Sequence, residues 1–152
     1  FDSGARLSEL LAVRIADVIF SSRALVIRKG KGGDPRFIKL GKRSLLELAK
    51  YRRKCLPEDA VYLFPNRSGN GPIQKRYVQT RIRELGNRAG VHLSPHRLRH
   101  GCTREMLLQG ADILTIQGRL GHHSPVWTFH YAQLFESDLF ERGAQFSPGD
   151  KL

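Results

Sequence analysis

The sequence predicts a mainly α-helical fold carrying one small antiparallel β-sheet. Apolar residues recur at helical spacing through most of the stretches between glycine and proline breaks. One β-branched run, Leu25 to Ile27, faces a second alternating run, Arg36 to Leu40, across a turn signal. The length, 152 residues, is most simply one domain able to bury a core of its own.

The elements follow in order. "RLSELLAVRIADV" (6–18) has helical period in its first part, where Ser8 or Ser3 can cap it. "ALVIRKGKGGDPRFIKL" (24–40) reads as a β-hairpin, with Gly30-Lys31-Gly32-Gly33-Asp34-Pro35 as its loop. "KRSLLELAKYRRKCL" (42–56) returns to helical spacing and stops before Pro57; "VYLFP" (61–65) is a short extended piece and "NRSGNGP" (66–72) a loop. "IQKRYVQTRIRELGNRAG" (73–90) is a basic amphipathic helix closing at Gly86 or Gly90. Ser94 caps a helix with Pro95 in its first position, running to about Gln109-Gly110. "ADILTIQGRLG" (111–121) is a shorter helix ending at Gly121, "SPVWTFHYAQLFESDLFERG" (124–143) is helical in pieces, and "AQFSPGDKL" is a polar tail.

Lys and Arg number 26 against 14 Asp and Glu, a formal charge of +12. A chain this basic faces a polyanion, with nucleic acid the first candidate. Cys55 and Cys102 form no CxxC pair; they suit free thiols in a reducing compartment, with a single disulfide as the alternative. No apolar run has the length of a membrane span. The chain opens "FDSGARLSELL" without a Met, so the expectation is a fragment of a longer protein.

The stretch "SPHRLRHG" holds two histidines and two arginines within five positions. On a helix starting at Pro95, His96, Arg99 and His100 share one face, and Arg97 lies a quarter-turn away. One bound phosphate would balance them: arginine offers planar bidentate donors, and a helix N-terminus adds N–H groups and a favourable dipole. Elsewhere, Arg6 precedes an apolar helix, Lys31 sits in a hairpin tip, His122 follows a glycine stop, and Tyr131 comes nine positions later. Singly, each reads more readily as a surface charge, turn residue, cap or half-buried aromatic. Their combination in this order is far more specific.

On these residues the chain resembles the catalytic domain of a tyrosine recombinase, of the phage integrase and Xer type. The likeness runs from about Gly4 to Tyr131, and "LSPHRLRHG", "LLQGADILTIQGRLGHHS" and the following tyrosine carry most of it. The resemblance implies a DNA breaking-rejoining fold over 1–152, with 132–152 as a C-terminal tail and a separate N-terminal core-binding domain outside it. It implies that Arg6 and Arg99 grip the scissile phosphate, Lys31 protonates the leaving 5′ oxygen, and His96 assists proton transfer. His122 donates to the phosphate, Tyr131 is the nucleophile forming a 3′-phosphotyrosyl link, and His100 supports the site. Lys29, Arg36, Lys75, Arg76 and Arg97 are expected to contact DNA. The implied partners are double-stranded DNA and further copies of the chain, as a tetramer on paired sites, with no membrane, no cofactor and no metal. The implied setting is cytoplasmic and nucleoid-associated. The implied activity is site-specific recombination of integrase, excisionase or Xer resolution type. Type IB topoisomerase-like relaxation and a catalytically idle DNA-binding module are the alternatives.

The residue types suit that chemistry. Two arginines and a histidine stabilise the charge that develops on a phosphodiester under attack. A tyrosine with a pKa near 10 needs its proton managed, and a departing alkoxide needs a donor such as Lys31. The sequence departs from the family pattern at Asp34-Pro35, where basic residues are common, and at His123 and Trp127. Trp127 is either core or packed beside the site loop. A zinc site from His122, His123 and His130 lacks a fourth ligand. The tail's Leu134, Phe135, Leu139 and Phe140 either bury in their own domain or dock on a neighbouring copy.

Overall fold

The computed structural model describes residues 1–28 and 35–121. Helix α1 (Leu7–Leu11) and a 3-10 turn (Ile15–Asp17) lead into a sheet of β1 (Val18–Ile19), β2 (Ala24–Ile27) and β3 (Arg36–Lys39). Helices α2 (Lys42–Cys55), α3 (Lys75–Arg88), α4 (Pro95–Leu108) and α5 (Ile113–Leu120) follow. The described chain is therefore mainly helical with a three-stranded antiparallel sheet, ordered β1-β2-β3. No helix in it is long and apolar enough to cross a membrane.

The hairpin forms as its alternation requires, with Leu25 opposite Ile38 and Ile27 opposite Arg36. Its buried face joins Val13, Val18, Leu25, Ile27, Ile38, Leu40 and Leu63 in the main core. A smaller core of Leu107, Ile116 and Leu120 lies between α4 and α5. Helix α5 also packs on β3.

Residues 6–18 give up helical geometry after one turn. The Val13 carbonyl accepts from Leu63 N at 2.9 Å and Ile15 N donates to the Val61 carbonyl at 2.9 Å. Burying Val13 and Val18 in the sheet core outweighs the propensity of a short helix, which is marginal alone. Neither Ser8 nor Ser3 caps α1. The Glu9 carboxylate accepts from Arg6 N at 2.9 Å instead, the reaching-back half of a capping box. In place of a continuous extended piece, 61–65 makes two isolated bridges, Arg14 with Tyr62 and Pro65 with Pro72, with bends at Leu63 and Phe64 between them.

Two glycines divide the work at the end of α3. Gly90 takes φ +68° and turns the chain. Gly86 stays helical, and a Cβ there would stand 2.5 Å from the Val91 carbonyl oxygen and 2.8 Å from Leu93 N. It lets the returning chain pass. Ser94 caps α4 as expected, its Oγ accepting from Arg97 N, with Pro95 in the first turn. Helix α5 is capped by Asp112, which accepts from Thr115 N at 2.8 Å, and ends at Gly121 in the left-handed conformation. Cys55 is exposed and Cys102 buried, and both are free thiols.

Candidate active site

Among the described residues expected at the site, Arg99 is the most deeply placed, 7% exposed on α4. Its Nη1 donates to the Gly4 carbonyl at 2.8 Å and its Nη2 to the Leu120 carbonyl at 3.0 Å. A single guanidinium thus fastens the segment two residues before Arg6 to the last turn of α5. The fit is close at Gly4, which has φ +61°; a Cβ there would lie 3.1 Å from Leu120 Cδ2 and 3.3 Å from Cys102 Sγ. One turn on, the buried Thr103 hydroxyl donates to the Arg99 carbonyl at 3.1 Å.

Arg6 leaves about half its side chain in solvent, and its Nη1 donates to Glu9 Oε1 at 3.2 Å. Glu9 itself is 8% exposed. Its carboxylate also receives a fork from Arg36, Nη1 to Oε1 at 3.2 Å and Nη2 to Oε2 at 2.8 Å. Burial alone would raise the Glu9 pKa. The Arg36 hydrogen bond, the Arg6 backbone N–H and the two positive charges outweigh it and hold the carboxyl below its ordinary value.

The end of α5 is bound by arginines from several directions. Arg36 Nε donates to the Arg119 carbonyl at 3.1 Å, alongside the Arg99 bond to Leu120. These bonds satisfy carbonyls that a helix terminus leaves without intrahelical partners. The Arg119 side chain reaches outward to the Asp2 carbonyl, to Asp2 Oδ1 at 3.0 Å and to the Lys39 carbonyl at 3.0 Å. Asp2 Oδ2 in turn accepts from Gly41 N, at the start of α2.

His96 and His100 stand one turn apart on α4, as their spacing predicts, with Nε2 atoms 2.5 Å apart and rings edge to face at 4.1 Å. One nitrogen donates and the other accepts. His96 is exposed and His100 half-buried. Arg97 is exposed and turns back along the chain to the His92 carbonyl at 3.4 Å. Lys75 and Arg76 are exposed in the first turn of α3.

Of the residues expected in catalysis, the described structure ties together the Arg6 segment, Arg99 and the α5 terminus, with His96 and His100 on the helix that carries Arg99. Lys29, Lys31, His122, His123, Trp127, His130, Tyr131 and the tail lie outside the described residues. Arg36, expected on the DNA, has its guanidinium committed to Glu9 and the Arg119 carbonyl, with 13% of its side chain exposed. Among the described residues no group of three or more His, Cys, Asp or Glu could hold a metal ion. Glu9, Asp2 and Arg119 join the network without being singled out by the motifs. The capping-box spacing Arg6-x-x-Glu9 and a basic residue in the last turn of α5 were the available signals.

Comparison with known proteins places the chain in a family. The profile described as "Phage integrase family" matches residues 1–138. The chain is 34% identical over 143 residues to tyrosine recombinase XerA of Pyrococcus horikoshii, covering 93% of this chain and 50% of that protein. It is 37% identical over 136 residues to tyrosine recombinase XerC of Xanthomonas campestris, covering 88% and 42%. The crystal structure of XerA recombinase superposes with a TM-score of 0.82 at 32% identity, over 96% of this chain and 53% of that one. XerH site-specific recombinase bound to its palindromic difH substrate, in a post-cleavage complex, superposes at 0.75 with 26% identity, over 94% and 42%. The chain spans about half the length of the curated relatives it matches. With the family's model matched over residues 1–138 and the fold shared with XerA recombinase, the chain belongs to the phage integrase family.

Proposed function

We propose that this chain is the catalytic part of a tyrosine recombinase that cuts and rejoins DNA strands at specific sites through a covalent 3′-phosphotyrosyl intermediate. The observation that carries the reading is Arg99. It is a buried arginine whose two bonds draw the Arg6 segment and the α5 terminus, one residue short of Gly121 and two short of His122, to the helix bearing His96. A guanidinium held this rigidly is suited to stabilising charge on a phosphoryl group, since little reorganisation is left at the moment of reaction.

In this reading Arg6 and Arg99 bind the non-bridging oxygens of the scissile phosphate. The Tyr131 hydroxyl oxygen attacks phosphorus and loses its proton with help from His96, and His100 orients the His96 ring. His122 donates to the phosphate. Lys31, from the hairpin tip, gives a proton to the departing 5′ oxygen. The phosphotyrosyl ester conserves the bond energy, so a 5′ hydroxyl from another strand can reseal the break. Arg97, Lys75 and Arg76 contribute backbone contacts that hold the duplex without reading its sequence. The whole protein would add an N-terminal domain closing around DNA and would act as a tetramer on paired sites. XerH, a relative by structure, is bound to its difH substrate in the crystal, which supports DNA as the partner.

The test is a nicked suicide duplex that traps the covalent step. The expected result is a protein–DNA adduct that is lost in Tyr131→Phe. No adduct, from this chain or from the full-length protein, would sink the reading; plasmid relaxation without recombinant products would point to a topoisomerase instead.

A further inference from the structure

Arg36 stands where several requirements of the site converge. It opens β3, the strand that leaves the hairpin tip. It forks onto both oxygens of a nearly buried Glu9 and donates through Nε to the Arg119 carbonyl. It also lies against Gly121: a Cβ on that residue would stand 2.6 Å from Arg36 Cζ and Nη1. Glu9 therefore accepts hydrogen bonds from two arginines at once, through the Arg36 fork and through the backbone and side chain of Arg6.

We propose that Arg36 is a positioning residue for strand cleavage: by sharing Glu9 it keeps that carboxylate from wholly capturing Arg6, and by packing on Gly121 it fixes the left-handed stop of α5. The proposal rests on the recombinase reading. Its physical basis is the scarcity of other partners for a carboxylate 8% exposed. With Arg36 gone, the Glu9 charge falls wholly to Arg6. A guanidinium clasped by one carboxylate is both reoriented and partly neutralised toward a phosphate. Lysine cannot replace the fork, because an ammonium is a point charge without the planar pair of donors.

The experiment measures single-turnover cleavage of the suicide duplex, DNA affinity as a function of salt, and thermal stability. It compares wild type, Arg36→Gln, Arg36→Lys, Glu9→Gln and the Glu9→Gln/Arg36→Gln double variant. Arg36→Gln is expected to slow cleavage of bound DNA about 100-fold, the scale of a misplaced catalytic group, with affinity and salt dependence unchanged. Arg36→Lys should not rescue it. The double variant should recover most of the loss, because no carboxylate remains to hold Arg6. The idea is overturned if Arg36→Gln instead weakens DNA binding and lowers the salt slope by about one while bound DNA is cut normally, the behaviour of a phosphate contact. Full rescue by lysine, or strictly additive losses in the double variant, would overturn it equally.

Should Arg36→Gln fail to fold, Gly121→Ala keeps Arg36 and displaces its guanidinium; normal cleavage there would be fatal. Titration of the Glu9 carboxyl by carbon NMR works without any cleavage. An upward move of its pKa in Arg36→Gln or Arg36→Lys is expected, and no move sinks the Arg36 proposal alone. Absence of a wild-type adduct, by contrast, sinks the recombinase reading.

Discussion

Two segments of this chain are built to the same plan and serve different ends. Arg6-Leu7-Ser8-Glu9 and Arg14-Ile15-Ala16-Asp17 each place a carboxylate three residues after an arginine, where it accepts that arginine's backbone N–H at 2.9 Å. Each carboxylate is nearly buried, 8% exposed at Glu9 and 1% at Asp17. Each also binds a second arginine from one foot of the hairpin: Arg36 after the tip, Arg28 before it. The difference lies in those second arginines. Arg36 is 13% exposed and forks onto both Glu9 oxygens; Arg28 is 64% exposed and brings Nε and Nη2 to the single oxygen Asp17 Oδ1. Asp17 therefore anchors one edge of the sheet with a partner that water can replace. Glu9 is locked between Arg6 and the end of α5 by a partner that water cannot replace. The same local motif becomes structural or site-forming according to what the far side of the hairpin delivers to it.

The largest expected break in the comparison is Glu9→Ala. It strands a mostly enclosed Arg36 without its counter-charge and should cost about 3–5 kcal/mol of stability, read as a shift in the urea unfolding midpoint. Asp17→Ala strands chiefly the Arg14 backbone N–H, because Arg28 can turn to solvent. The expected loss is about 1–3 kcal/mol. If the two variants lose the same amount, the contrast drawn from exposure is wrong.

Acid titration sharpens the comparison further. Both carboxyls are held below their ordinary values, Asp17 because bonds to Arg28 and the Arg14 N–H outweigh the burial that would raise it. Their contribution to stability is complete above the unfolded carboxylate pKa and disappears as pH falls through the lowered folded values. Unfolding midpoints followed into acid should thus fall less steeply in Glu9→Gln than in wild type. The smallest expected effect is Arg28→Lys. An exposed ammonium can serve one carboxylate oxygen about as well as Arg28 does, so the urea midpoint should not move measurably.

Much of the fold could be read before any coordinates. The hairpin, the Ser94-Pro95 start of α4 and the Gly121 stop follow from local stereochemistry, which acts within a few residues and leaves its mark in the sequence. The early end of α1 could not be read that way, because it follows from Val13 bonding to Leu63, fifty residues on. The short strand β1 was hidden for a related reason: Val18 and Ile19 become a strand only by pairing with Leu25 and Ala24. At the site, helical spacing correctly set His96 against His100. It could not say that Arg99 turns inward to two backbone carbonyls, or that Arg36 spends its charge on Glu9. Charge counts treat every arginine as equivalent, whereas burial distinguishes them.

The sequence by itself determined the family, the helical and hairpin elements, and which residue types stand ready for phosphoryl chemistry. All three are written in local spacing and in the order of motifs along the chain. Only the tertiary structure decided how each of these cations is held. Arg99 and Arg36 find their partners 95 and 27 residues away. A carboxylate or carbonyl becomes the right partner for a guanidinium only once folding has removed the water that would otherwise compete for both.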